Sequence, residues 1–262
     1  MRGALVTAAI LAAASAFAAS CHSSVVEPSE GSQPGTIAWT HEPAGLSVLT
    51  DHAWTDLTSG GWNRRPSGDD RIVDDATAPA SPTSTLEYVF PVGFPGGTAP
   101  ATQYYSVKDR TELFVGLEFK VSQPWQGHSS LVNKVQFLYT ASSDVAMVMY
   151  GPQAGPFELR VMPQWPEHGN VWLTPNRTNA PVALGGWHRL EWYLKYESAY
   201  GAGDGVIRWW LDGAPIGDYS NVRYPNDSGF SEYQISPTWG GVGDAKRESD
   251  FYRFNRTYIS AR

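Results

Sequence analysis

The side chains best suited to chemistry in this 262-residue chain sit on the polar faces of strand-like runs. They are Glu118 and Lys120, Lys134 and Gln136, Glu158 and Arg160, then Arg189, Glu191, Tyr193, Lys195, Arg208 and Trp210. If these faces line one sheet, they form a groove in which cationic and amide donors alternate with aromatic platforms. Sugars suit such a surface, because their apolar ring faces stack on Trp or Tyr while hydroxyls and carboxylates take hydrogen bonds. A half-buried sheet would present many of the same residues to water without any ligand. Tyr193 and Trp210 favour the groove, because exposed Tyr and Trp are otherwise poor surface choices.

Other chemistries find less support. His41, His52, His128, His168 and His188 form no H-E-x-x-H pair, and the one cysteine, Cys21, has no partner for a zinc site, so no metal and no cofactor are expected. Asp69, Asp70, Asp74 and Asp75 cluster without the ordered D-x-D-x-D-G loop of a calcium site and read as a solvated loop. There is no E-x-D-x-x-E strand to set paired carboxylates on one face, no G-x-S-x-G elbow and no phosphate-binding glycine loop. A net charge of −7 and the lack of any basic run argue against a nucleic-acid partner.

The elements that must position the polar faces are β-strands. In WHRLEWYLKY, His188, Leu190, Trp192, Leu194 and Tyr196 fall on one face, and Trp187, Arg189, Glu191, Tyr193 and Lys195 on the other. VIRWWLDG separates Ile207, Trp209 and Leu211 from Arg208, Trp210 and Asp212. The Gly-rich AYGAGDG joins these two runs, and Asp212-Gly213 marks a tight turn. ELFVGLEFKVS points Leu113, Val115, Leu117, Phe119 and Val121 inward. IAWTHEP, LSVLTDHAW, LEYVF, LVNKVQFLYT, VAMVMYGPQ, FELRVMPQ, VWLTP and FYRFNRTYIS read as further strands, and 58–82 reads as loop. No convincing helical period occurs after residue 36. With 26 Gly and 19 Pro, the expected fold is an all-β antiparallel sandwich occupying residues 37–262 as one domain.

Residues 1–20 have the make-up of a secretory signal: Arg2, an Ala-rich apolar run and small residues before Cys21. Ala18-Ala19-Ser20-Cys21 resembles a bacterial lipoprotein box, with Ala18 where leucine is usual. The resemblance implies lipidation of Cys21, and ordinary signal cleavage is the alternative. Residues 21–36 then form a flexible Ser/Pro/Glu/Gly-rich tether. The expected protein is a monomer on the bacterial cell envelope, facing outside the cytoplasm and touching membrane only through its lipid, or a secreted one.

The late strands carry a further resemblance. Gly186, Trp187, Arg189, Glu191, Tyr193 and Lys195, followed by Asp204, Gly205, Trp210, Asp212 and Gly213, match a G-W-x-R-x-E-x-Y-x-K and D-G-x-x-x-x-W-x-D-G pattern. A TWGG segment (Thr238 to Gly241) and the closing strand complete it. This pattern resembles the concanavalin A-like jelly-roll domains of bacterial polysaccharide lyases and glycan-binding proteins. The resemblance implies a polysaccharide or oligosaccharide partner and, in the lyase case, β-elimination next to a uronate carboxylate. That reaction needs the carboxylate neutralised, a base for the adjacent proton and an acid for the departing oxygen. Asn133, Lys134, Gln136, Arg160 and Arg189 are candidates for neutralisation, with Glu191, Arg208 and Trp210 as further binding residues. His128, Tyr139, His168 and Tyr193 are candidates for proton transfer. A non-catalytic glycan-binding protein or a structural envelope protein are the alternatives. Arg110-Thr111-Glu112-Leu113 matches the R-T-E-L strand of alginate lyases only superficially, because that family's companion motifs are missing.

Overall fold

The structure is a computed structural model that describes residues 38–66 and 68–262; the expected signal, Cys21 and the expected tether lie outside the described residues. Two antiparallel sheets pack face to face. The larger contains β1 (Ser47–Ala53), β3 (Asp70–Asp74), β4 (Ser84–Phe90), β6 (Glu112–Val121), β10 (Trp187–Lys195), β11 (Gly205–Leu211), β12 (Ala214–Val222) and β14 (Asp250–Ala261). Its order is β12-β11-β10-β6-β14-β4-β3, with β1 also paired to β14. The smaller contains β2 (Asn63–Arg65), β5 (Thr102–Arg110), β7 (Val132–Tyr139), β8 (Asp144–Tyr150), β9 (Glu158–Pro163) and β13 (Phe230–Ile235), in the order β2-β5-β13-β7-β8-β9. The only helical turn among the described residues is a 3₁₀ turn at Pro166–His168.

The core lies between the sheets and is built by the alternation visible in the sequence. Leu113, Val115, Leu117, Phe119 and Val121 of β6 and Leu190, Trp192 and Leu194 of β10 meet Val135, Leu138, Met147 and Met149 of β7 and β8. Each such side chain withdrawn from water stabilises the fold by about 1.5–3 kcal/mol. The β11–β12 turn is a two-residue loop whose Asp212 (φ 53°) and Gly213 (φ 79°) are both left-handed, the geometry that suits the twist of a tight hairpin.

Several sequence expectations are corrected. The 58–82 segment contains β2 and β3, and two of its aspartates are buried rather than solvated. Asp70 accepts hydrogen bonds from Arg64 Nε (2.7 Å) and Gln103 Nε2 (2.6 Å). Asp75 accepts from Lys120 Nζ and Arg253 Nη1, both at 3.0 Å. Those partners, with Thr77, outweigh burial and hold the Asp75 carboxyl far below its usual range. The described part of IAWTHEP, residues 38–43, forms no strand, and VWLTP makes only an isolated bridge between Leu173 and Val161.

Candidate functional site

The site begins with a bulge in β7. Lys134 pairs with Val148, but Gln136 pairs with Met147, so one extra residue is inserted on the β7 side. A single-residue slip exchanges the two faces of everything beyond it. Lys134 therefore points outward, Gln136 turns into the core beneath Tyr233 Oη (2.5 Å), and Phe137 and Tyr139 return to the outer face. Without the bulge, Lys134 and Tyr139, five positions apart, would lie on opposite sides of the sheet.

Cross-strand register extends this face into rows. One runs Asn63, Tyr104, Gln234, Phe137, Ala146, Met162; beside it run Ser106, Glu232, Tyr139, Asp144. On the other side Lys134, Val148 and Arg160 align, and then Val132, Tyr150 and Glu158. Phe137, Ala146, Val148 and Met162 pack together, with Val132, Tyr139, Tyr150 and Trp172 against them, as an apolar and aromatic floor outside the main core. A hollow of about 230 Å³ lies on this floor, lined by Ser130, Val132, Lys134, Met162, Gln164, Gly240 and Gly241. A second of about 370 Å³ is lined by residues that include Tyr150, Glu158, Arg160 and Asn179.

The charges on this face are unequal in their freedom. Arg65 pairs with Glu232 (3.1 Å) and lies 4.1 Å from the Tyr104 ring centre. Arg160 pairs with Glu158 (2.6 Å) and lies 3.6 Å from the Tyr150 ring. Lys134 is half-buried, makes no ion pair among the described residues, and holds its Nζ 5.7 Å from the Phe137 ring. Burial lowers its pKa below the ordinary lysine value, and nearby Asp144 opposes that shift only in part. Asp144 accepts a hydrogen bond from Gln164 Nε2, and burial raises its carboxyl above the usual value. Tyr139 stacks on Phe137 at 5.9 Å; burial, then the Asp144 charge, raise its phenol. The arrangement thus places on one sheet face an amine that ionises less readily than usual and a phenol that keeps its proton.

Of the sequence candidates, Lys134, Tyr139 and Arg160 share this face. Asn133 does not: it is buried, accepting from His128 N (3.1 Å) and donating to Met149 O (3.1 Å). His128 is 2% exposed and sits beneath the TWGG loop, its Nδ1 2.8 Å from Ser130 Oγ, and burial lowers its pKa. A Cβ on Gly240 would collide with its ring, so His128 supports the glycine wall of the hollow from behind. His168 stands on the 3₁₀ turn, where its Nδ1 accepts from Arg223 N (3.4 Å), and it lines neither hollow.

Arg189, Glu191, Tyr193, Arg208 and Trp210 lie on the outer face of the other sheet, so the single groove expected from the sequence divides between opposite sides of the sandwich. That second face is filled. Tyr193 is 7% exposed and donates to Glu112 (2.7 Å), and burial with that carboxylate raises its phenol strongly. Glu191 accepts from His41 N (2.8 Å) and from Arg189 Nε, which reaches its other oxygen (3.1 Å). Trp210 stacks on His41 at 4.6 Å, and Arg208 pairs with Asp218 (2.8 Å). Trp39 closes the surface over Phe114, Tyr193 and Tyr258. Sequence reasoning missed Arg65, Tyr104, Asp144, Met162, Gln164, Trp172 and Gln234 on the open face. The readable signal was the phase change within LVNKVQFLYT, where Val135 and Leu138 are both apolar three positions apart.

The architecture has solved counterparts. An endo-β-1,4-glucuronan lyase from the fungus Trichoderma reesei matches with a TM-score of 0.58 at 18% identity, over 82% of this chain and 96% of that one. A variant of alginate lyase Aly36B in complex with alginate trisaccharide matches with 0.60 at 12% identity, over 82% and 98%. Alginate lyase vAL-1 from Chlorella virus matches with 0.56 at 9% identity, over 82% and 100%. The fold is polysaccharide lyase-like. At these identities the likeness carries the β-sandwich jelly roll and not the chemistry. No protein-family model and no curated protein matches the sequence.

Proposed function

We propose that this chain is an extracytoplasmic carbohydrate-active protein that binds uronate-containing polysaccharide across the open face of the six-stranded sheet and cleaves it by β-elimination. The observation that carries the reading is Lys134: a half-buried amine with no ion pair among the described residues, on an aromatic floor, with Tyr139 on the same strand and face. In this reading the unprotonated Lys134 amine takes the proton beside the uronate carboxylate. The resulting ammonium then lies next to the negative charge that develops on the carboxylate, where it is worth most. The carbon–oxygen bond to the next sugar breaks, its electron pair leaves with the oxygen, and Tyr139 supplies the proton that oxygen needs. A carbon–carbon double bond remains in the sugar. Solved lyases of this fold that act on alginate and on glucuronan support the reading.

The N-terminal signal and lipoprotein-box resemblance supply the extracytoplasmic part of the proposal, with Cys21 as the lipidated residue. Incubation of the folded domain with a panel of uronate-containing polysaccharides tests the activity through the ultraviolet absorbance of new unsaturated ends. A rising signal that Lys134→Met removes would support a lyase. A flat trace across the panel, from protein shown to be folded, would leave a glycan-binding role at the same face.

A further inference from the structure

The charge inventory of the open face restricts the kind of polymer it suits, an inference that rests on the glycan-binding reading of that face. Within the rows around the aromatic floor, the cations are Arg65, Lys134 and Arg160, and each has a carboxylate near it. Arg65 is held by Glu232 and Arg160 by Glu158, whereas Asp144 stands within electrostatic reach of Lys134 without pairing to it. Among the described residues of these rows only Lys134, which binds as its ammonium and reacts in the fraction that has lost its proton, is therefore available to a ligand without displacing a protein carboxylate. Away from Lys134 the face offers rings, amides and engaged charges. A chain with a uronate at every position would bring its flanking carboxylates against Glu232, Glu158 and Asp144, with neither arginine free to answer them. Like charges set together across an interface cost enough to dominate selectivity.

We infer that the site takes polysaccharides in which a uronate is flanked by uncharged sugars, and discriminates against homopolymeric uronates. The uronate sits at Lys134 and the neutral sugars pack on the half-buried aromatic surface beside it, which includes Tyr139 and Trp172.

Polymers sharing one uronate and differing in its neighbours test this: polyglucuronate against hyaluronan and heparosan, in which glucuronate alternates with uncharged N-acetylglucosamine. Each is assayed for unsaturated ends and, separately, as immobilised oligosaccharide for binding. The expected result is a preference of about tenfold or more for the better alternating polymer, in kcat/KM and in Kd, that shrinks as salt is raised. Glu158→Gln and Glu232→Gln together release both arginines and should narrow the preference at least about threefold through improved handling of polyglucuronate. Equal use of the polymers, a preference for polyglucuronate, or a ratio unmoved by the double variant would overturn the inference. If no polymer yields unsaturated ends, the lyase reading falls, while the order of binding affinities still decides this one; no binding to any of them overturns both.

Discussion

The two outer faces of the sandwich carry similar residue types and differ in what those residues are free to do. On the eight-stranded sheet the charges are consumed by one another: Arg71 and Arg253 meet at Glu87, Arg253 and Lys120 meet at Asp75, and Arg256 meets Asp51. The segment before β1 then covers the aromatics, with Trp39 over the face and His41 between Glu191 and Trp210. On the six-stranded sheet Phe137, Ala146, Val148 and Met162 are buried beneath half-buried Tyr139, Tyr150 and Trp172, and Lys134 makes no ion pair among the described residues. A cation within an ion pair is already neutralised, and a ligand must break that pair to use it. The lesson is that ion pairing, more than residue type, separates a structural face from a reactive one.

The largest expected effect breaks the comparison most directly. Lys134→Met should lower kcat/KM on the preferred polysaccharide by about 10³-fold, or about 4 kcal/mol of barrier, with little change in melting temperature. Arg189→Met, the corresponding loss of a cation from the covered face, should leave kcat/KM within about twofold. Equal losses of activity from the two variants would end the distinction between the faces.

Cover on the first face should register as stability. Trp39 packs so closely on β6 that a Cβ at Gly116 would come 2.4 Å from its indole. Trp39→Ala should cost about 3 kcal/mol in denaturant unfolding, and Gly116→Ala should also destabilise by forcing the indole off the sheet. If neither changes the unfolding midpoint, the segment before β1 is not the structural cover inferred here.

The pH profile sharpens the other side. With Lys134 as base and Tyr139 as acid, kcat/KM rises with pH as the lysine loses its proton, at a pKa below the ordinary 10.5. It falls again only as the phenol ionises, at a pKa above the ordinary 10.0. Tyr139→Phe should lower the rate about 10²-fold and abolish the descending limb. A descending limb that survives in that variant would assign the acid to another group.

The sandwich was legible in the sequence because β6, β10 and β11 alternate without interruption, and their inward residues are those of the core. β5 and β13 were not recognised. Their inward positions include Gln103 as well as Tyr105, Tyr233 and Ile235, so polar residues stand on both faces and the period is blurred. The site was harder to read for two physical reasons. Period-2 alternation says which residues share a strand face but not which sheet the strand joins, so Arg160 and Arg189 looked like neighbours. And the β7 bulge reverses phase within one strand, which assigned Gln136 to a surface it does not reach and concealed that Lys134 and Tyr139 share one.

The smallest effect concerns a histidine that holds the edge of the covered sheet and has no part in the chemistry. His188 places Nδ1 2.7 Å from Asp212 Oδ2 and Nε2 2.8 Å from Ala183 O. Both partners are acceptors, so the ring satisfies both only as an imidazolium donating from each nitrogen. Burial disfavours that charge, but the bonds to Asp212 and Ala183 outweigh it and hold the pKa above 6.5. A group whose pKa is raised on folding contributes its full stabilisation below the unfolded value and loses it as pH rises through the folded one. Because Asp212 is half exposed, the contribution is set at about 1 kcal/mol, or roughly 2–4 °C in melting temperature. His52, whose pKa burial lowers, works in the opposite sense. The informative quantity is therefore the difference in melting temperature between the protein and its His188→Gln variant. That difference should be greatest below about pH 6.5 and shrink toward alkaline pH, while kcat/KM for folded protein stays unchanged. A difference constant across pH would show that His188 is held neutral, with one of its two acceptors unanswered.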